Sequence, residues 1–222
     1  MIAENLNKVK ETLHPGVELV AVSKFHPVEA LQEAYDAGQR VFGESHVQEL
    51  VAKQEVLPKD IVWHFIGHLQ TNKVKYMAPF VSLIHAVDSV KLLKEIDKQA
   101  QKCERVIEVL LQVHVAAEET KFGFLPDELM AMLEAGEWRD MAHVRIVGLM
   151  AMATNTDDEV RIASDFECVR QLFGKVKERF FADLPTFQEL SMGMSGDYLI
   201  AQEHGSTMVR VGSMIFGERH YN

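Results

Sequence analysis

Short apolar runs alternate with longer amphipathic ones along almost the whole chain, and this alternation constrains the fold more than any other feature. Eight strand-like runs stand out: Glu18–Val22, Arg40–Phe42, Val62–Ile66, Leu83–Ala86, Arg105–Val113, Val144–Met150, Thr186–Leu190 and Thr207–Val211. Segments 27–37, 44–55, 70–77, 89–102, 126–135, 157–181 and 195–203 carry apolar residues at i, i+3, i+4 spacing on otherwise polar surfaces, and an opening helix is expected near 2–13. Start signals agree: Pro27, Asp88-Ser89 and Pro126-Asp127 each stand where a helix should begin. Strands separated by helices lie parallel, because a parallel connection needs a crossover. The alternation therefore predicts an α/β chain closed into a single (β/α)8 TIM barrel, and 222 residues fall toward the short end of what that architecture uses. The rival is an open doubly wound sheet. No G-x-G-x-x-G follows the first strand, which weakens a dinucleotide-binding version of it. No linker, repeat or compositional break divides the chain, so residues 1–222 read as one domain.

A formal net charge of −10 argues against nucleic acid and anionic membrane as partners, since both reward basic surfaces. Cys103 and Cys168 have no C-x-x-C spacing, so neither a disulfide framework nor a zinc knuckle is implied, and a reducing cytoplasm is expected. The N-terminal stretch lacks the apolar segment of a signal peptide, and no apolar run approaches a bilayer span.

A barrel places its site at the C-terminal ends of the strands, with phosphate commonly held after strands 7 and 8. Ser191–Gly196 would follow strand 7 and Gly212-Ser213 strand 8; such turns expose backbone N–H groups at helix starts. Lys24 ends strand 1, the neighbour of strand 8 in a closed barrel. Val20, Val22 and Lys24 share one strand face, as do Met208, Arg210 and Gly212. Apolar company disfavours a charged lysine, and the neutral amine is the form that attacks an aldehyde. Taken alone, Lys24 reads better as a surface lysine at a strand end. With a phosphate seat opposite, it points to pyridoxal 5′-phosphate. Arg210 would sit at the pyridine nitrogen, or else pair with a carboxylate such as Glu218.

AVSK at 21–24, FGESHVQE at 42–49, WHFIGHLQTNK at 63–73, GLMAM at 148–152, LSMGMSGD at 190–197 and VRVGSMIFGER at 209–219 carry a resemblance to the pyridoxal phosphate homeostasis protein family. It runs from about Val17 to Arg219. The resemblance implies a barrel similar to the N-terminal domain of alanine racemase, with the cofactor bound to Lys24 as a Schiff base. It implies that Ser191, Met194, Ser195, Gly212 and Ser213 hold the phosphate, that Arg210 faces the pyridine nitrogen, and that Met150, Ile66 and Gly67 line the pocket. Ser45 stands where the family usually has Asn, and its shorter hydroxyl is the candidate contact there. His46, Phe25 and His68 also depart from the family's usual Tyr, small polar residue and Pro.

His64 and His68 have metal-like spacing but no third ligand follows, and His64 reads better as a hydrogen-bonded interior residue. Residues 118–123 form a candidate site loop in which Lys121 could attract a carboxylate, though they read slightly better as a solvated loop ending in a turn. Met150, Met152, Met192, Met194, Met208 and Met214 are expected around the mouth. The function implied is intracellular homeostasis of pyridoxal phosphate (binding, storage or delivery to apoenzymes) by a monomer without robust catalysis. The alternative is an amino-acid racemase. That chemistry needs a second base opposite Lys24, which in alanine racemase comes from a second domain and a partner subunit; only His46 offers itself here. A cofactor-free Schiff-base aldolase is a third reading, less suited to so developed a phosphate seat.

Overall fold

The computed structural model describes residues 1–119 and 122–218. Its strands are β1 (Glu18–Val22), β2 (Val41–Glu44), β3 (Val62–Phe65), β4 (Leu83–Val87), β5 (Ile107–Val113), β6 (Val144–Ala151), β7 (Glu189–Met194) and β8 (Met208–Val211). All pair in parallel, in chain order, and β8 returns to β1 with Val20 opposite Arg210 and Ala21 opposite Val211. The expected closed (β/α)8 barrel is what forms.

Helices α1 (Ile2–Glu11), α2 (Val28–Asp36), α3 (Val47–Val56), α4 (Val74–Met77), α5 (Val90–Lys102), α6 (Pro126–Ala135), α7 (Glu159–Phe180), α8 (Tyr198–Glu203) and α9 (Ser213–Phe216) fill the connections. Their ends follow from local chemistry. Ser89 Oγ accepts from Leu92 N at 3.2 Å to start α5, and Asp158 accepts from Val160 N and Arg161 N to start the long α7. Pro126 opens α6, and Gly136, at φ 77°, closes it.

Strand alternation divides the core in two. Leu19 and Ala21 pack outward in a large cluster shared with the helices, whereas Val20 points inward with Leu83, Ala86, Leu110, Val147, Met150 and Met208. The inward set fills the barrel, so the ligand-accessible space lies above it.

Two boundaries differ from expectation for the same reason. Strand 7 was expected over Thr186–Leu190 with a turn from Ser191; instead β7 carries Ser191 through Met194, paired to Met150 on one side and to Met208 and Arg210 on the other. β2 likewise extends to Glu44, and α3 starts at Val47 rather than 44. Ser191 and Glu44 looked like turn and helix-start residues because they are polar. Both are fully buried strand residues whose polar atoms find partners in other elements. The segment 70–77 is also not one helix: a 3-10 turn over Thr71–Lys73 leads into the single turn of α4.

Candidate cofactor site

A cavity of about 440 Å³ opens at the C-terminal ends of the strands, within the usual size of small-molecule sites, roughly 300–1,000 Å³. Lys24 enters it from the end of β1, Ser45 from β2, Ile66 and Gly67 from β3, Met194 and Ser195 from β7, and Arg210, Gly212 and Ser213 from β8 and its junction. Barrel closure is what unites these residues, since Lys24 and Arg210 stand on strands paired edge to edge. The two junctions of the expected phosphate seat touch directly: Gly212 N donates to Ser195 Oγ at 3.2 Å. Asp197 Oδ1 accepts from Met194 N at 2.6 Å and fixes the turn between β7 and α8. Gly67 is required by close approach, because a Cβ there would lie 2.4 Å from the Ser45 carbonyl oxygen.

Arg210 is almost wholly buried yet reaches the cavity. Its guanidinium donates to Ser191 O at 2.9 Å, Ser191 Oγ at 2.5 Å and Ala151 O at 3.0 Å. The alternative pairing with Glu218 does not occur; among the described residues Arg210 forms no ion pair. Burial lowers its pKa to about 10, against which the charge of Asp197 acts, so it remains a cation near neutrality. A buried cation held by neutral acceptors leaves its charge available to an anion or ring nitrogen in the cavity.

Met150 and Ser191 lie elsewhere than expected. Met150 is inside the barrel core, one level too deep, and Met152 two residues on takes its place at the cavity. Ser191 lies beneath the cavity in a buried chain: its Oγ meets Nδ1 of His85 at 2.9 Å, and Nε2 of His85 meets Nδ1 of His64 at 3.0 Å. With Arg210 donating to the hydroxyl, that hydroxyl is free to donate to His85, which leaves the His85 proton on Nε2 for His64. Desolvation holds both imidazoles neutral, His64 with a pKa lowered to about 3 and His85 well below its ordinary value. His64 is thus the hydrogen-bonded interior residue expected. Of the expected methionine cluster only Met152 and Met194 line the cavity; Met192 packs outward, Met208 fills the barrel and Met214 is exposed.

The cavity also takes in Val22, His68, Gln112, Phe122 and Gly196. Gln112 was legible as a lone amide in the apolar β5; its Nε2 donates to Phe122 O at 3.1 Å. His68 stacks on Phe122, ring centroids 3.8 Å apart, and its Nδ1 lies 3.3 Å from Asp88 Oδ2. That pairing joins positions distant in sequence, and no local signal announced it. Lys121 of the candidate loop lies outside the described residues, as does Arg219 of the last motif. Among the described residues no three His, Cys, Asp or Glu side chains converge as metal ligands would.

Beneath Lys24, on the outer side of β1, a second buried polar group forms. Ser23 Oγ donates to Glu44 Oε1 at 2.6 Å, and Lys53 Nζ donates to Glu44 Oε1 at 2.7 Å, Glu49 Oε1 at 2.7 Å and Ser23 O at 2.8 Å. Desolvation raises the Glu44 carboxyl to a pKa of about 7, with Lys53 and Ser23 pulling the other way.

The alanine racemase N-terminal domain family matches residues 1–220. The pyridoxal phosphate homeostasis protein of Schizosaccharomyces pombe is 40% identical over 92% of this chain and 85% of its own. This chain belongs to the pyridoxal phosphate homeostasis protein family. The Aquifex aeolicus member is 39% identical over 99% of this chain and 96% of its own. Among solved structures, PipY of Synechococcus elongatus with PLP bound superimposes with a TM-score of 0.88 at 37% identity, covering 98% of this chain and all of that one. Alanine racemase of Clostridium difficile superimposes with a TM-score of 0.77 at 14% identity, covering 99% of this chain and 56% of the other, a likeness of fold.

Proposed function

We propose that the chain binds pyridoxal 5′-phosphate on Lys24 and holds it for storage or delivery to apoenzymes, as a monomer in the cytoplasm. The observation that carries this reading is the convergence of three chemically different groups on one cavity: the Lys24 amine, the buried Arg210 cation held by neutral acceptors, and the hydroxyls and amides of Ser195, Gly212 and Ser213. Pyridoxal phosphate, when bound, supplies an aldehyde that condenses with an amine. It also carries a dianionic tail and a ring nitrogen. Each has a counterpart: Lys24 for the aldehyde, the two linked junctions for the tail, Arg210 for the nitrogen. Arg210, charged near neutrality, would face that nitrogen in the bound cofactor, where its positive charge would disfavour a proton on the nitrogen and so weaken the ring as an electron sink. That suits a carrier better than a catalyst. Proton transfer on both faces of a substrate asks for a base opposite Lys24, and His46, the candidate from sequence, is not among the cavity-lining residues.

No helix among the described residues is long and apolar enough to cross a membrane. The closed sheet exposes no strand edge for self-association, in keeping with a monomer.

The test is incubation with pyridoxal phosphate, borohydride reduction and peptide mass mapping. A pyridoxyl adduct on Lys24, absent from Lys24→Ala along with the visible absorption band, is expected; an adduct confined to another lysine would overturn the reading. Chiral analysis after incubation with L-amino acids separates the alternatives, since turnover that disappears in Lys24→Ala would establish a racemase.

A further inference from the structure

The turn that carries Lys24 is held from outside the cavity by groups that the cavity does not include. β1 ends at Val22, so Ser23 points outward and Lys24 inward. The carbonyl of Ser23, one peptide unit before Lys24, accepts from Lys53 Nζ at 2.8 Å. The amide of Phe25, one unit after it, donates to Glu49 Oε1 at 2.6 Å. The Ser23 hydroxyl donates to Glu44 at 2.6 Å. Lys53 joins all three by donating to Ser23 O, Glu44 and Glu49, which uses its three ammonium protons. Both main-chain bonds that flank Lys24 are thus fixed by side chains of α3, four residues apart on one helix face.

Two features make this an unusual way to secure a turn. Phe25 has φ 64°, in the left-handed region that a bulky residue avoids, so the local backbone is strained where Glu49 holds it. Lys53 is nearly fully buried and Glu44 fully so, and one Glu44 oxygen, Oε2, has no hydrogen-bond partner among the described residues. Buried ion pairs of this kind contribute little stability beyond what apolar packing would give.

We propose that Glu49 and Lys53, with Glu44, are positioning residues for Lys24, clamping the peptide units on either side of it so that its amine is aimed at an aldehyde carbonyl in the cavity. This rests on Lys24 being the reactive amine. The clamp touches neither cofactor nor substrate; it acts through the backbone, where a displacement of about 1 Å at a reacting group can slow reaction as much as a hundredfold.

Three variants test it: Glu49→Ala, Glu49→Gln and Lys53→Met. The rate of pyridoxyl capture on Lys24 with cyanoborohydride present is read by mass mapping. Amide hydrogen exchange at Phe25 is read in the protein without cofactor, and thermal unfolding checks the fold. Glu49→Ala and Lys53→Met are expected to slow capture on the order of tenfold and to speed Phe25 exchange. Glu49→Gln keeps an acceptor for the Phe25 amide and is expected to restore capture to within about twofold of the unaltered chain. Folded Glu49→Ala that captures at the unaltered rate would overturn the clamp, as would Glu49→Gln slowed as far as Glu49→Ala. Glu49 is partly exposed, so its variants keep the test available if Lys53→Met does not fold. If the unaltered chain takes no adduct on Lys24, the cofactor reading fails, and Phe25 exchange in Glu49→Ala then decides the clamp by itself.

Discussion

Ser191 shows how one polar side chain can link two functions of a barrel. Its oxygen accepts from Arg210 and meets His85, so it ties the cavity's cation to the polar chain below. Ser191→Ala leaves the buried Arg210 and His85 each short of a partner and should lower unfolding free energy by about 1–3 kcal/mol in urea titrations. The two histidines also set a pH dependence. Their folded pKa values lie below the ordinary 6.5, so the unfolded chain takes up protons first; their stabilisation is complete above that pH and is lost as pH falls. Glu44 has the opposite sign: its folded pKa of about 7 exceeds its ordinary 4.5, so its contribution is complete below 4.5 and is lost as pH rises through 7. Two losses against one gain predict a net fall in stability from pH 6 to pH 5, and Glu44→Gln, which removes the gain, should steepen it. Denaturation midpoints at the two pH values check this; equal stabilities would contradict a neutral buried histidine pair.

At the scale of elements, local signals succeeded wherever a residue acts within its own segment. Pro126 and Ser89 start helices as expected; Asp158 does the same for α7, which begins two residues later than the expected start at 157, and Asp158→Ala should destabilise the chain by about 1 kcal/mol in thermal or urea unfolding by freeing two amides there. Signals failed where a polar residue is satisfied by another element. The end of β2 was obscured because Glu44 is paired to Lys53 on α3, and the end of β7 because Ser191 bonds to β8 and β4. Packing between neighbouring strands is equally invisible in a linear pattern. Gly148 of β6 lies so close to β7 that a Cβ would fall 1.7 Å from Glu189 O. Gly148→Ala therefore has to push two paired strands apart, with an expected loss of about 3 kcal/mol or more, measurable as a lowered denaturation midpoint.

For the molecule as a whole, the sequence determined the architecture, the strand count and most of the cavity wall, because period-2 and period-3.6 patterns and the motifs around Lys24, Ser195, Arg210 and Gly212 are local properties of the chain. The depth of each residue within the barrel was decided only by the tertiary structure. Met150 and Met152 stand two residues apart at the end of β6, yet one fills the core and the other, just past the strand, meets the cavity. The support behind Lys24 was hidden for a related reason. Glu44 and Glu49 lie within the readable motif at 42–49 and Lys53 lies just beyond it, but their common target, the turn at 23–25, is some twenty to thirty residues away in sequence. Such partners meet only when β1 and β2 pair and α3 folds back over them, since burial, which turns these charges from solvated groups into a clamp, is a property of the closed barrel and of no segment of it.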